Sequence, residues 1–180
     1  SGVRRAKVHG AWMELDLSEH IQRMIYLGAF EPWETRAVRR TLRAGMCFVD
    51  VGANVGYFSV LAARLVGPTG RVVAVEPSPY AAARLRRTVV ENRLTNVRVD
   101  QIGLGATAGE ATLYHPLPDN HTPTMLGEGG TPGMRVPVRT LDECLGDWGV
   151  DRIDLLKVDV EGFEPAVLAG ATAALAAGLV

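Results

Sequence analysis

Phe48-Val49-Asp50-Val51-Gly52-Ala53-Asn54-Val55-Gly56-Tyr57-Phe58-Ser59 is the stretch from which the rest of the chain is read. An apolar strand over 47–51 runs into a Gly-Ala-Asn-Val-Gly turn, and the turn into an apolar-periodic helix expected over 55–66. Two glycines let the backbone turn sharply and let a ligand approach the main chain. The first N–H groups of the helix then point back at that ligand. A second strand, 71–75, ends in Glu76. An acidic residue at the end of the second strand is placed to take both hydroxyls of a ribose. The unit reads as a nucleoside-cofactor site.

Upstream, weak alternation over 6–17 with Gly10 as the turn predicts a small β-hairpin. Ser18-Glu19-His20 offers a helix N-cap ahead of Ile21, Met24, Ile25 and Leu27, and Gly28 ends that segment. Glu31-Pro32-Trp33-Glu34-Thr35 begins a further helix. Trp33, Val38 and Leu42 are expected in its core face, and Arg36, Arg39, Arg40 and Arg43 in water, where charged helix faces are usually only solvated.

Downstream, a helix is expected over 80–92, a third strand over 97–102 ending in Gly103 and Gly105, and a further strand over 110–114. Residues 115–133 form a long loop rich in Pro, Gly, Asn and Thr, a kind that is often functional or mobile. Residues 134–139 read as extended, and Thr140-Leu141-Asp142-Glu143 as a capped helix start. A fourth core strand over 153–158 ends in Asp159-Val160-Glu161-Gly162, and a last helix is expected over 165–177. Strands alternating with helices, and apolar on both faces, predict an α/β fold with a mostly parallel sheet covered on both sides. Ligands bind such sheets at the carboxyl ends of the strands. Every unusual cluster of this chain lies there: 52–56, 76–78, 101–105 and 159–162.

The 180 residues suit one domain, with the hairpin and helices over 1–44 and the cofactor-binding core over 45–180. A hydrophobic fraction of 47% and a charged fraction of 22% are ordinary for a globular protein. The net charge of −1 gives no reason to expect nucleic acid or an acidic membrane surface as partner. No apolar run is long enough to cross a bilayer, no leader pattern is read, and the expected location is cytoplasmic. Cys47 and Cys144, far apart and without metal-ligand spacing, argue against a disulfide scaffold or a zinc site. No spacing demands a metal.

On these residues the chain resembles a class I, Rossmann-like methyltransferase, and more narrowly the FkbM family. The resemblance rests on Asp50-Val51-Gly52-Ala53-Asn54-Val55-Gly56, Val75-Glu76-Pro77-Ser78, Thr140-Leu141-Asp142 and Lys157-Val158-Asp159-Val160-Glu161-Gly162-Phe163-Glu164. It implies S-adenosylmethionine as cofactor and a hydroxyl of a small molecule, a natural product or sugar, as acceptor. It implies that Asp50, Gly52, Asn54 and Gly56 line the methionine and ribose end, and that Glu76 holds the ribose hydroxyls beside Pro77 and Ser78. Gln101 and the Ile102-Gly103 backbone are implied near the adenine, and Asp159 and Glu161 near the transferred methyl.

A hydroxyl acceptor must lose a proton, and a carboxylate at a strand end can take it. Asp159 is the first choice and Glu161 the second, with His115 and His121 as rivals. Asp159 and Glu161 also have a plainer reading as charges favouring the last helix's dipole. Tyr57 and Phe58 read as helix packing. A nicotinamide-dependent oxidoreductase is the runner-up, but its G-x-G-x-x-G spacing is broken here by Asn54. A non-catalytic cofactor-binding or assembly module is the third reading. A full class I sheet has further strands, expected to begin near Gly178-Leu179-Val180, so the C-terminal strands are expected to lie outside this chain.

Overall fold

The computed structural model describes residues 2–115 and 131–180. Val3–Val8 (β1) and Ala11–Asp16 (β2) pair antiparallel around His9 and Gly10. Both turn residues have positive φ, 49° and 83°, the conformation a two-residue hairpin loop requires. The helix His20–Tyr26 (α1) has Glu19, the middle residue of the expected stretch, at its N-cap and no side-chain cap. The Ser18 hydroxyl donates instead to Asp16 Oδ1 at 2.6 Å, so it is not free to cap.

In Pro32–Thr41 (α2) Arg36, Arg39 and Arg40 are exposed, as is Arg43 just beyond it, and Val38 and the following Leu42 are buried, but Trp33 is 76% exposed, against expectation. Five residues separate Trp33 from Val38, which turns it roughly 140° away from the buried stripe, whereas Val38 and Leu42 are four apart and share a face.

The core then alternates: Cys47–Val51 (β3), Tyr57–Val66 (α3), Arg71–Val75 (β4), Pro79–Glu91 (α4) and Val97–Asp100 (β5). Gly103–Leu104 (β6), Gly109–His115 (β7) and Thr131–Arg139 (β8) follow, then Leu141–Trp148 (α5), Leu155–Val158 (β9), Glu164–Ala169 (α6) and Thr172–Ala176 (α7). The main sheet is parallel, in the order β5-β4-β3-β9, with β9 at one edge among the described residues. Helices cover both faces, as expected. Phe48 and Val72 pack against α3, the hairpin, α1 and α2, while Val49, Val51, Val73 and Val75 pack against α5, α6 and α7.

The third strand is shorter than expected. It stops at Asp100, and Gly103–Leu104 joins a second sheet, β6-β8-β7. Most of the long loop, 116–130, lies outside the described residues.

The last helix is two helices, broken around Gly170. A side chain at Gly170 would collide with the Gly105 carbonyl oxygen, and the Gly170 carbonyl accepts from Asp142 N at 3.0 Å. The second piece is started from another element: Asp142 accepts from the Ala173 and Ala174 N–H groups, each at 2.9 Å. Asp142 itself sits in the first turn of α5, whose Thr140–Glu143 capping box forms as the sequence predicts. No helix among the described residues is long and apolar enough to cross a membrane.

Candidate active site

Strand order reverses between β3 and β9, and a cavity of about 1020 Å³ opens at the carboxyl ends there. Its size is at the upper end of the range for small-molecule sites, about 300–1,000 Å³. Gly52, Asn54, Glu76, Pro77, Ser78, Gly103, Asp159 and Glu161 line it. Of the residues singled out by sequence, Asp50, Gly56 and Gln101 do not. Gln101 Oε1 accepts from Arg86 at 2.9 Å. His121 falls outside the described residues, and only the backbone of His115 is described, as the last residue of β7.

The turn is shaped by its own packing as much as by any ligand. Gly52 has φ +81°, and a Cβ there would overlap the Asp159 carbonyl oxygen. Gly56, at φ +93°, stands at the N-cap of α3 against Leu85. Asn54, where a dinucleotide loop has glycine, also has positive φ, 49°, which asparagine tolerates better than most residues. That conformation aims its N–H at Glu76.

Glu76 is 8% exposed and both its oxygens are occupied by main chain. Oε2 accepts from Asn54 N and Oε1 from Ser78 N, each at 2.8 Å. The carboxylate therefore ties the β3 turn to the start of α4 in one orientation. Burial raises its pKa to about 7 against the pull of the two N–H groups, with Asp50 adding to the rise. The neutral form is thus favoured by folding, and the contribution to stability is lost as pH rises from near 4.5 through about 7.

Asp50 lies 1% exposed behind the turn. Its Oδ2 accepts from Ser59 Oγ at 2.6 Å, while Oδ1 is buried without a hydrogen-bond partner. Burial raises its pKa against the opposing effect of Lys157, which stands opposite on β9. Lys157 donates to Asp159 Oδ2 at 2.8 Å and lies 4.9 Å from the centre of the Phe58 ring. Burial lowers the Lys157 pKa, but Asp50, Asp159 and Glu31 outweigh it and the net shift is upward. Glu161 has positive φ, 52°, and its pKa is raised by burial and by Asp159 and Glu164.

Sequence reasoning does not single out Glu31, which also lines the cavity. It precedes Pro32 in the left-handed conformation, φ 40° and ψ 63°. The only sequence signal is its place before a proline, which reads as a helix start. Tyr57 and Phe58 both pack in an aromatic group with Phe30 and line the cavity. Among the described lining residues six carboxylates, Asp16, Glu19, Glu31, Glu76, Asp159 and Glu161, face one lysine, Lys157. No group of three or more potential metal ligands is found among the described residues.

A family model for the methyltransferase FkbM domain matches residues 50–178. The chain is 35% identical over 153 residues to methyltransferase sdnD of Sordaria araneosa, covering 68% of this chain and 59% of that protein. It is 35% identical over 159 residues to the 31-O-demethyl-FK506 methyltransferase FkbM of Streptomyces tacrolimicus, covering 72% of this chain and 60% of that protein. The chain thus spans about three-fifths of the length of these relatives. In fold it is similar to the crystal structure of methyltransferase FkbM from Methylobacillus flagellatus KT, with a TM-score of 0.51 at 18% identity over 87% of this chain and 40% of that one. The strand–turn–helix around Asp50, the acidic end of the second strand and the matched span agree, and the chain belongs to the FkbM family of methyltransferases.

Proposed function

We propose that this domain binds S-adenosylmethionine and transfers its methyl group to a hydroxyl of a small molecule. The observation that carries the reading is Glu76, a carboxylate fixed by two backbone N–H groups at the rim of the cavity, with lone pairs left for two ribose hydroxyls. The charge of the lining supports it, since six carboxylates against one lysine suit a cationic ligand. When bound, the cofactor supplies an electrophilic methyl group on a sulfonium. In this reading Gly52 and Asn54 hold the methionine and ribose end. Pro77, Ser78 and Gly103 wall the adenine end, and Asp50 and Gly56 act from behind the turn. The relative named for 31-O-demethyl-FK506 supports a hydroxyl on a natural product as acceptor.

Titration calorimetry with S-adenosylmethionine and separately with NAD tests the cofactor. Binding of NAD alone overturns the reading. Glu76→Ala is expected to weaken S-adenosylmethionine by about 1–3 kcal/mol, the cost of removing a charged hydrogen-bond partner. Hydroxyl donors favour the carboxylate, so affinity in the wild type is expected to fall with pH below about 7, by up to about tenfold per unit. Glu76→Gln should flatten that profile. An unchanged affinity in both variants removes the ribose role.

The reaction needs an acceptor oxygen held in line with the methyl group and a base for its proton. Asp159 lines the cavity with one oxygen held by Lys157, and Glu161 lies two residues on with a raised pKa. Asp159→Asn is expected to cut turnover by about 10²–10⁴ while cofactor affinity changes little, read by mass spectrometry of methylated products. Equal turnover passes the role to Glu161, with Glu161→Gln as the companion variant.

A further inference from the structure

Glu31 is in an unusual position for an N-cap residue. An acidic N-cap normally turns its side chain onto the first N–H groups of its helix. Glu31 makes no such bond, although Pro32 and α2 follow directly. Its Oε2 is buried and has no hydrogen-bond partner, and the residue lines the cavity. The left-handed backbone at a residue other than glycine, immediately before proline, is a costly conformation that the surrounding structure must hold. The charged groups that act on Glu31 are Lys157, Asp159, Glu34 and Asp50. Three of these belong to β3, β9 and the turn after β9, the side of the cavity away from the end of β4, where Glu76 lies.

We propose that Glu31 is a positioning residue for the α-ammonium group at the methionyl end of the cofactor. The inference rests on the cofactor reading above. A ligand whose ribose is held at Glu76 extends its amino-acid end past the β3 turn toward β9, where the unpaired oxygen of Glu31 offers an acceptor. The Oε2 atom left without a hydrogen-bond partner in the free protein gains a donor when the ammonium group arrives. Rotation about the last side-chain bond, which is broad for glutamate, can present either oxygen. Strain and missing hydrogen bonds in the free state are what a residue held for a ligand shows, and what a helix cap does not.

Titration calorimetry of wild type and Glu31→Gln with S-adenosylmethionine, S-adenosylhomocysteine and 5′-methylthioadenosine tests this, with thermal unfolding of both free proteins alongside. The third probe keeps adenine and ribose but lacks the amino-acid end. The variant is expected to lose tenfold or more in affinity for the first two and to stay within twofold for the third. Its melting temperature should be unchanged or higher, because an unpaired carboxylate has been removed. Unchanged affinity for all three overturns the proposal. So does a parallel loss of all three, or a lower melting temperature with the loss, since both describe a structural role. Wild type that binds none of the three overturns the cofactor reading and this inference with it.

Discussion

Gly52→Ala is expected to lower the stability of the fold by roughly 2–5 kcal/mol, combining a left-handed backbone cost of about 1–2 with overpacking of about 1–3. Three strand ends meet at this residue. Gly52 N and Ala53 N both donate to Val75 O, at 2.9 and 3.0 Å, and Asp159 N donates to Val51 O at 3.0 Å. A Cβ at Gly52 points at the Asp159 carbonyl, and backbone cannot swing aside as a flexible side chain can. The added methyl must push the end of β9 away from β3, and Asp159 moves with it. Gly28→Ala separates the two contributions. Gly28 has φ +70° but nothing within 4 Å of its would-be Cβ, so it carries only the backbone cost. Thermal or urea unfolding should therefore show the Gly52 variant clearly below the Gly28 variant, by roughly 2–4 °C for each kcal/mol between them. Equal melting temperatures would remove the close approach from the account. If Asp159 takes the acceptor proton as proposed, methyl transfer in the Gly52 variant should fall further than its stability accounts for, because Asp159 is displaced.

That dependence of the β3 turn on the end of β9 shows where sequence reading stops. The strand–turn–helix of 48–59 is legible because its signals are local: an apolar run, two glycines and a periodic helix. Glu76 is legible for the same reason, as the acidic end of a short strand. The reason Gly52 must be glycine is not local, because the atom it avoids lies on Asp159, more than a hundred residues on. The expected single helix over 165–177 fails likewise, because the Gly170 carbonyl is taken by Asp142 N and the restart is capped by the Asp142 carboxylate. Trp33 could have been placed by counting turns from Val38. Glu31 could not, since a glutamate before proline at a helix start has an ordinary reading, and only its conformation and unpaired oxygen distinguish it. Lys157 reads as a polar interruption of an apolar strand. Its meaning appears once β9 is set beside β3 in a register that puts it opposite Asp50.

Lys157→Met should therefore cost about 3–5 kcal/mol near pH 8, the usual penalty for removing one partner from buried opposite charges. The methionine keeps most of the apolar stem and removes the ammonium, and with it the hydrogen bond to Asp159 and the contact with the Phe58 ring. What remains is Asp50, 1% exposed, with one oxygen unpaired, and Asp159 and Glu31 nearby. The loss depends on pH. Burial already holds the folded-state pKa of Asp50 above its ordinary 3.8, so its contribution favours folding below that value and is lost as pH rises through the folded-state pKa. Removing Lys157 removes an opposing charge and pushes the folded-state pKa higher still, widening the window over which stability falls. The difference between variant and wild type in urea unfolding should therefore be larger at pH 8 than at pH 5. Asp50→Asn in the Lys157→Met background should restore most of the loss at pH 8, because the amide keeps the acceptor for Ser59 without the charge. A loss equal at both pH values, or one that Asp50→Asn does not relieve, would mean that Lys157 stabilises β9 through packing or through Asp159 and that Asp50 is held without it.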